Sequence, residues 1–212
     1  MPSSADGGRA WCALAAVLAL GALSAFAFAI APATLDWQPA LVAREPWRTF
    51  TAALVHYSAL HLVANLAGAL LVAALGAFAR VPWPVAAAWL LAWPLTQLGL
   101  LWRPDLLHYG GLSGVLHAGT ACVAWQLIVR ERGARRAIGM LLLTGIAIKV
   151  AGESPGGPAL RHPAGWDIAI APFAHASGLV AGLLAAAFVD AAARLARPRH
   201  VAGDDARTRD TA

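Results

Sequence analysis

The sequence predicts an all-α polytopic membrane protein with six transmembrane helices and both termini in the cytoplasm. Three observations predict it. Of 212 residues, 59% are hydrophobic and only 13% are charged, about half the roughly 25% charge that a soluble domain carries. The apolar residues gather into runs long enough to cross a bilayer, and mean hydropathy is +0.63. The basic residues flank these runs and form no patch, so the net charge of +5 reads as a membrane pattern and no nucleic-acid partner is expected. A soluble globule, a disordered chain and a secreted disulfide scaffold are excluded. Cys12 and Cys122 both sit inside apolar runs, which supports neither a disulfide framework nor a thiolate metal site.

A spanning helix needs about 20 residues, with a range of about 17–25. Six stretches qualify: Trp11–Ala31, Ser58–Ala79, Val85–Trp102, Ser113–Val129, Ala137–Ala151 and Ile168–Val189, the fifth being short. Pro94 is tolerable inside the third, because neighbouring helices re-satisfy the freed carbonyl. The first run also carries signal-peptide features, with Arg9 ahead of it and Ala27-Phe28-Ala29 and Ala29-Ile30-Ala31 near its end. Its uninterrupted length of about 20 residues exceeds the 7–15 of a signal core, so a retained helix is expected. Around the spans lie a short cytoplasmic head (1–10), a first loop (Pro32–Tyr57), a Gly/Pro-rich loop (Gly152–Asp167) and a basic, disordered cytoplasmic tail (191–212). The single membrane domain is therefore 11–190, without internal repeats.

Orientation follows from the basic residues. With the N-terminus inside, Arg9, Arg80, Arg130, Arg132, Arg135, Arg136, Arg194, Arg197, Arg199, Arg207 and Arg209 face the cytoplasm. Only Arg44, Arg48, Arg103, Lys149 and Arg161 face outward, and the four-Arg loop after the fourth span decides the matter. One lysine among sixteen basic residues, with Ala-rich spans, points to a GC-rich bacterial genome and so to the bacterial inner membrane.

Polar groups at membrane depth are costly and mark functional sites by default. Here they converge. The second span opens with Ser58 and carries His61 and Asn65, the fourth opens with Ser113 and carries His117, and the sixth carries His175. All lie in the outer halves of helices that run in the same direction. His61 and Asn65 share a helix face by their i,i+4 spacing, as do Ser113 and His117. His175, Gly178 and Gly182 also lie on one face, and a Gly-x-x-x-Gly pair lets another helix approach closely. Gly110, Gly111 and Gly114 remove bulk around Ser113.

If the sixth span packs on the fourth, an imidazole meets a serine hydroxyl at a helix N-terminus. A serine becomes nucleophilic when a neighbouring histidine takes its proton. The Ser113 backbone N–H, His61 and Asn65 are then available as oxyanion donors. No acidic residue lies within a span in that leaflet, so the expected unit is a Ser113–His175 dyad. Individually these residues have plainer readings: a small packing serine, an Asn that joins helices, a satisfied buried histidine. Their coincidence on three helices at one depth favours chemistry. His56 and His108 read as loop residues that orient neighbours, and His162 and His200 as solvated.

Rival chemistries fit less well. His56, His61, His117 and His175 lack the interior carboxylate or His-Glu-x-x-His pattern of a typical zinc site, so no metal or cofactor is expected. Asp167 and Asp190 lie at opposite ends of the sixth span, which rules out a paired-aspartate hydrolase. A proton or solute transporter, the alternative from another class, lacks repeat symmetry and intramembrane carboxylates.

The residues also carry a resemblance. His56-Tyr57-Ser58-Ala59-Leu60-His61-Leu62-Val63-Ala64-Asn65 resembles the second-helix motif of the rhomboid intramembrane serine proteases, H-x-S-x-x-H-x-x-x-N. Gly111-Leu112-Ser113-Gly114 resembles their G-x-S-G nucleophile motif. Ala174-His175-Ala176-Ser177-Gly178-Leu179-Val180-Ala181-Gly182 is similar to their A-H-x-x-G-x-x-x-G motif, and Trp47-Arg48 to the Trp-Arg of their first loop. The resemblance implies a rhomboid-like six-helix core. In it Ser113 is the nucleophile, His175 the general base and then acid, and His61, Asn65 and the backbone at Ser113 the oxyanion hole. Gly111, Gly114, His117, Gly178 and Gly182 would support the site. The implied partners are the lipid bilayer and single-span membrane proteins, cut near the outer face. Many rhomboids place an aromatic residue, commonly tyrosine, four positions after the nucleophile. This chain has His117 there, and Ser-Gly-x-x-His on a compact core resembles the rhombosortase branch, associated with substrates that end in a Gly-Gly motif, an apolar helix and a basic cluster. A rhomboid-like binding protein without activity is the remaining alternative.

Overall fold

The computed structural model describes residues 4–196; the tail expected to be disordered lies, from 197 onward, outside the described residues. In chain order the helices are α1 (Ser4–Ala27), α2 (Pro32–Leu35), α3 (Arg48–Thr51, running into a 3-10 turn at Ala52–Leu54), α4 (Ala59–Ala79) and α5 (Trp83–Leu98, ending in a 3-10 turn at Gly99–Trp102). They continue with α6 (Ser113–Arg130), α7 (Gly133–Gly152) and α8 (Pro172–Leu195). Among the described residues there is no strand, only isolated bridges between Trp37 and Tyr109 and between Arg161 and Ile170. The described residues are thus all-helical in their regular structure. Four helices are long and apolar enough to cross a membrane: α1, α4, α5 with its 3-10 end, and α8.

The ends of these helices follow local chemistry. Ser58 N-caps α4, its hydroxyl accepting from the His61 N–H at 3.1 Å. Arg80, in a left-handed conformation, ends that helix. The first helix begins seven residues before the expected span, taking in most of the head, and stops at Ala27, because Ala29 turns left-handed and Pro32 starts α2. The last helix begins at Pro172, four residues later than expected. Pro suits a first helical turn, and Ile170 is held by backbone hydrogen bonds to Arg161. His175 consequently sits in the first turn of α8, not two turns down.

Helix α6 is central, packed by α4, α5, α7 and α8, with its most extensive seam against α8. Two tryptophans tie in the periphery. Trp11 of α1 donates its indole N–H to the Val72 carbonyl at 2.8 Å and packs on Trp89 of α5 at 4.3 Å; Trp89 donates to the Val115 carbonyl of α6 at 2.8 Å. Each ring thus buries area while satisfying its one donor. The loop before α4 folds against the segment that leads into α6, around buried Arg48, which binds the Asp36 carbonyl at 2.7 Å and the Glu45 carboxylate at 2.6 Å. Tyr57 and His108 also reach the Asp36 carboxylate.

One helix stands apart. Of the residues of α7, only Gly139 and Val150 are buried, and its neighbours are chiefly α6 with a smaller contact to α8. Its start is pinned by Arg135, which donates to the Ala79 carbonyl at 2.8 Å and pairs with Glu131.

Candidate active site

Ser113 is the first residue of α6, where the backbone N–H groups lack partners within the helix. The turn that delivers it requires glycine. Gly111 has φ of +139°, and a Cβ there would stand 2.8 Å from the His61 Nε2. Its N–H is held by the Ala52 carbonyl at 3.0 Å, and its own carbonyl accepts from the Tyr109 hydroxyl at 3.2 Å. Burial, followed by the charge of Asp36, pushes the neighbouring Tyr57 phenol well above its ordinary range.

His175 reaches the serine because α8 lies directly on α6. A side chain at Gly178 would collide with the Gly114 carbonyl, and one at Gly182 with that of Ala118, so the two backbones touch along the Gly-x-x-x-Gly stripe. A Cβ on Gly114 would in turn come within 2.8 Å of the Ala174 carbonyl. This seam brings the His175 Nε2 to 2.9 Å from the Ser113 Oγ. His175 is buried and Ser113 half-buried.

The other imidazole nitrogen has a partner that the sequence reading did not anticipate. Nδ1 of His175 lies 2.6 Å from the Glu153 carboxylate. The expectation of a histidine without a neighbouring acid is therefore corrected: Glu153 caps α7 just outside the apolar span, and packing of α7 on α6 brings it back over the site. Lys149, one turn earlier, pairs with the other Glu153 oxygen at 2.8 Å and lies 2.9 Å from the His117 Nε2. His117 stacks on His175 with rings 4.4 Å apart and 9° from parallel, and its Nδ1–H donates to the Ser113 carbonyl at 2.6 Å. Burial would raise the Glu153 pKa. Its hydrogen bonds to His175 and Lys149 prevail and hold it at about 2, so the carboxylate is ionised.

From α4, buried His61 and Asn65 flank the serine turn. The position of a Gly111 Cβ would be 3.8 Å from the Asn65 Nδ2, which also donates to the His61 carbonyl at 3.1 Å. His56 packs its ring on His61 at 4.7 Å; burial lowers its pKa to about 4, so it is neutral, and it donates to the Leu54 carbonyl. His61 and Asn65, with Ser113, His117 and His175, line an open cavity of about 610 Å³ that is flanked by the 160–171 segment, including Trp166. Ser58, the α4 cap, donates to Asp167 at 2.8 Å and ties that segment down. Exposed His162 lies on the cavity rim, and His200 falls outside the described residues. Among the described residues no three His, Cys, Asp or Glu side chains converge to hold a metal.

Of the residues singled out from sequence, Ser113, His175, His61, Asn65 and His117 thus line this cavity, Gly111 forms the turn into Ser113 against His61, and Gly114, Gly178 and Gly182 lie in the α6–α8 seam. Glu153 and Lys149 were missed. The available signal was an i,i+4 pair of opposite charges at the end of an apolar run, built on the chain's one lysine. The arrangement presents a serine hydroxyl to an imidazole, with donors beside it and an open cavity above, as acyl transfer requires. No curated protein matches the chain. The Rhomboid domain family matches residues 43–191, from the first loop through nearly all of α8, a stretch that contains Ser113, His175, His61, Asn65, His117 and Glu153. The chain belongs to the rhomboid family, and it is an intramembrane serine protease.

Proposed function

We propose that Ser113 and His175 carry out this proteolysis on single-span membrane proteins, cutting near the outer face. His175 Nε2 takes the Ser113 proton as Oγ attacks the peptide carbonyl. The oxyanion is received by the backbone N–H groups at the start of α6, with His61 and Asn65. The same proton passes to the leaving amine, and water then releases the acyl-enzyme. The observation that carries this reading is the 2.9 Å approach of His175 Nε2 to Ser113 Oγ at the wall of an open cavity.

The topology belongs to the same proposal. Helices α6 and α7, at 18 and 20 residues, are long enough to cross, making six spans with both termini cytoplasmic, in a bacterial inner membrane. Their greater polarity has a physical account. Helix α6 is shielded by its neighbours and carries the site, while α7 opens on the arginines of the cytoplasmic flank and closes on Lys149. The stacked His117 supports the rhombosortase branch, with substrates that bear a Gly-Gly motif, an apolar helix and a basic tail.

The test is fluorophosphonate labelling of the detergent-solubilised protein, wild type beside Ser113→Ala and His175→Ala. Wild type labels, and both variants fall to background, since loss of either group in a serine protease costs about 10⁶-fold in turnover. Labelling that persists in Ser113→Ala overturns the assignment. Co-expression with a reporter ending in the Gly-Gly, apolar and basic tail tests the branch: cleavage lost when the glycines are replaced supports it, and indifference to them refutes it.

A further inference from the structure

We propose that Glu153 is a positioning residue of this site. Its carboxylate holds His175 in the one tautomer able to accept the Ser113 proton, and Lys149 fixes the second carboxylate oxygen. The inference rests on the protease reading above and extends it from two groups to three.

The tautomers decide the geometry. If Nδ1 of His175 carries the proton, it donates to Glu153 at 2.6 Å, and Nε2 is free to accept from Ser113 at 2.9 Å. In the opposite tautomer Nδ1 would turn a lone pair toward a carboxylate, and Nε2–H would point at the nucleophile it must deprotonate. Only the first satisfies both contacts. Lys149 also stands 3.1 Å from Nδ1, but its protons have acceptors elsewhere, in Glu153 at 2.8 Å and the His117 Nε2 at 2.9 Å. His117 completes a consistent set, because its Nδ1–H is committed to the Ser113 carbonyl and its Nε2 is left to accept from Lys149. Both imidazole N–H groups and two of the three Lys149 protons then meet an acceptor.

The carboxylate is not needed to hold the loop. Arg161 is anchored by the Glu153 backbone carbonyl at 2.7 Å, and Arg103 holds the following segment through the carbonyls of Pro155 and Gly157. The side chain of Glu153 is therefore committed to His175 and Lys149 alone.

In the step itself, the Ser113 Oγ–C bond forms while the Oγ proton moves to Nε2 and the carbonyl electron pair moves onto oxygen. The Nδ1 proton stays on His175, now an imidazolium facing a carboxylate. When the C–N bond breaks, the Nε2 proton leaves with the amine. No proton reaches Glu153; its negative charge stabilises the imidazolium between the two steps.

The experiment measures kinact and KI for fluorophosphonate labelling of the full-length protein in detergent, beside its thermal midpoint, for wild type, Glu153→Gln and Glu153→Asp. Loss of the acid in comparable serine hydrolases costs about 10⁴-fold. With Glu153 partly open to solvent, Glu153→Gln is expected to lower kinact about 10²–10³-fold at unchanged KI, with the protein folded and its midpoint only slightly lowered, and Glu153→Asp to recover most of the loss. A Gln variant within about threefold of wild type overturns the proposal. So does a loss that Asp does not restore, or unfolding of both variants, which would assign the carboxylate to the fold. An unlabelled wild type instead overturns the protease assignment itself, so the two failures are distinguishable.

Discussion

The α6–α8 seam and α7 meet the same cluster of side chains in opposite ways. At the seam two backbones touch over glycine, and every group within it is buried or nearly so. Helix α7 reaches the cluster only through the tips of Lys149 and Glu153, while most of its length is exposed. The seam sets a distance, 2.9 Å between hydroxyl and imidazole, and a backbone contact is the stiffest way to set it. The peripheral helix adds charge and orientation. Both of its contributing groups sit at one end, within one helical turn of each other.

The hardest way to break this contrast is to add bulk at the seam. Gly178→Leu places a side chain against the Gly114 carbonyl, a backbone atom that cannot step aside. Overpacking a well-fitted core costs about 1–3 kcal/mol where side chains yield, and more where the obstacle is backbone. The expected outcome is loss of fluorophosphonate labelling together with a lowered thermal midpoint in detergent. Bulk of the same size on the exposed face of α7, at Gly145, meets nothing within 4 Å and should leave both unchanged. An active, normally melting Gly178→Leu variant would refute the seam as the source of the geometry.

A smaller effect is expected from the third wall. Asn65 approaches the serine turn from α4 and makes no contact with the His175 ring that any donor count requires. Asn65→Ala should therefore lower turnover about 10²–10³-fold, the usual consequence of losing one oxyanion donor, without moving the thermal midpoint. A midpoint that falls with activity would make Asn65 a helix-joining residue instead.

The same contrast explains what could be read from sequence. Ser113, His175, His61, Asn65 and the glycine stripe were legible because i,i+4 and Gly-x-x-x-Gly spacings place residues on a helix face before any tertiary structure is known. Direction of travel through the membrane then supplied their common depth. Glu153 obeys no such rule. It lies just past a helix end, 22 residues before the histidine it touches, and only the packing of α7 brings the two together. A search for acids inside apolar spans excludes it by construction. Lys149 was visible only as an outward charge at a span's edge. The helix ends missed for a similar reason: Pro172 and the Arg161–Ile170 pairing set the start of α8, and an apolar run records neither.

The gentlest way to sharpen the comparison is acid. The Glu153 pKa is held at about 2, below its ordinary 4.5, by Lys149 at the same helix end and by His175, which it meets only when α7 is seated. A carboxyl depressed by folding contributes stability that is fully present above its unfolded value and is lost as pH falls through its folded one. The window is therefore from about pH 4.5 down to about pH 2. Other carboxylates titrate over the same range, so the informative quantity is the difference between wild type and Glu153→Gln. Wild type should lose thermal midpoint more steeply on acidification, and the two curves should converge near pH 2. Gly145→Leu, which touches none of the groups around Glu153, should follow the wild-type curve throughout. Parallel curves for wild type and Glu153→Gln would mean that the carboxylate contributes nothing to seating α7.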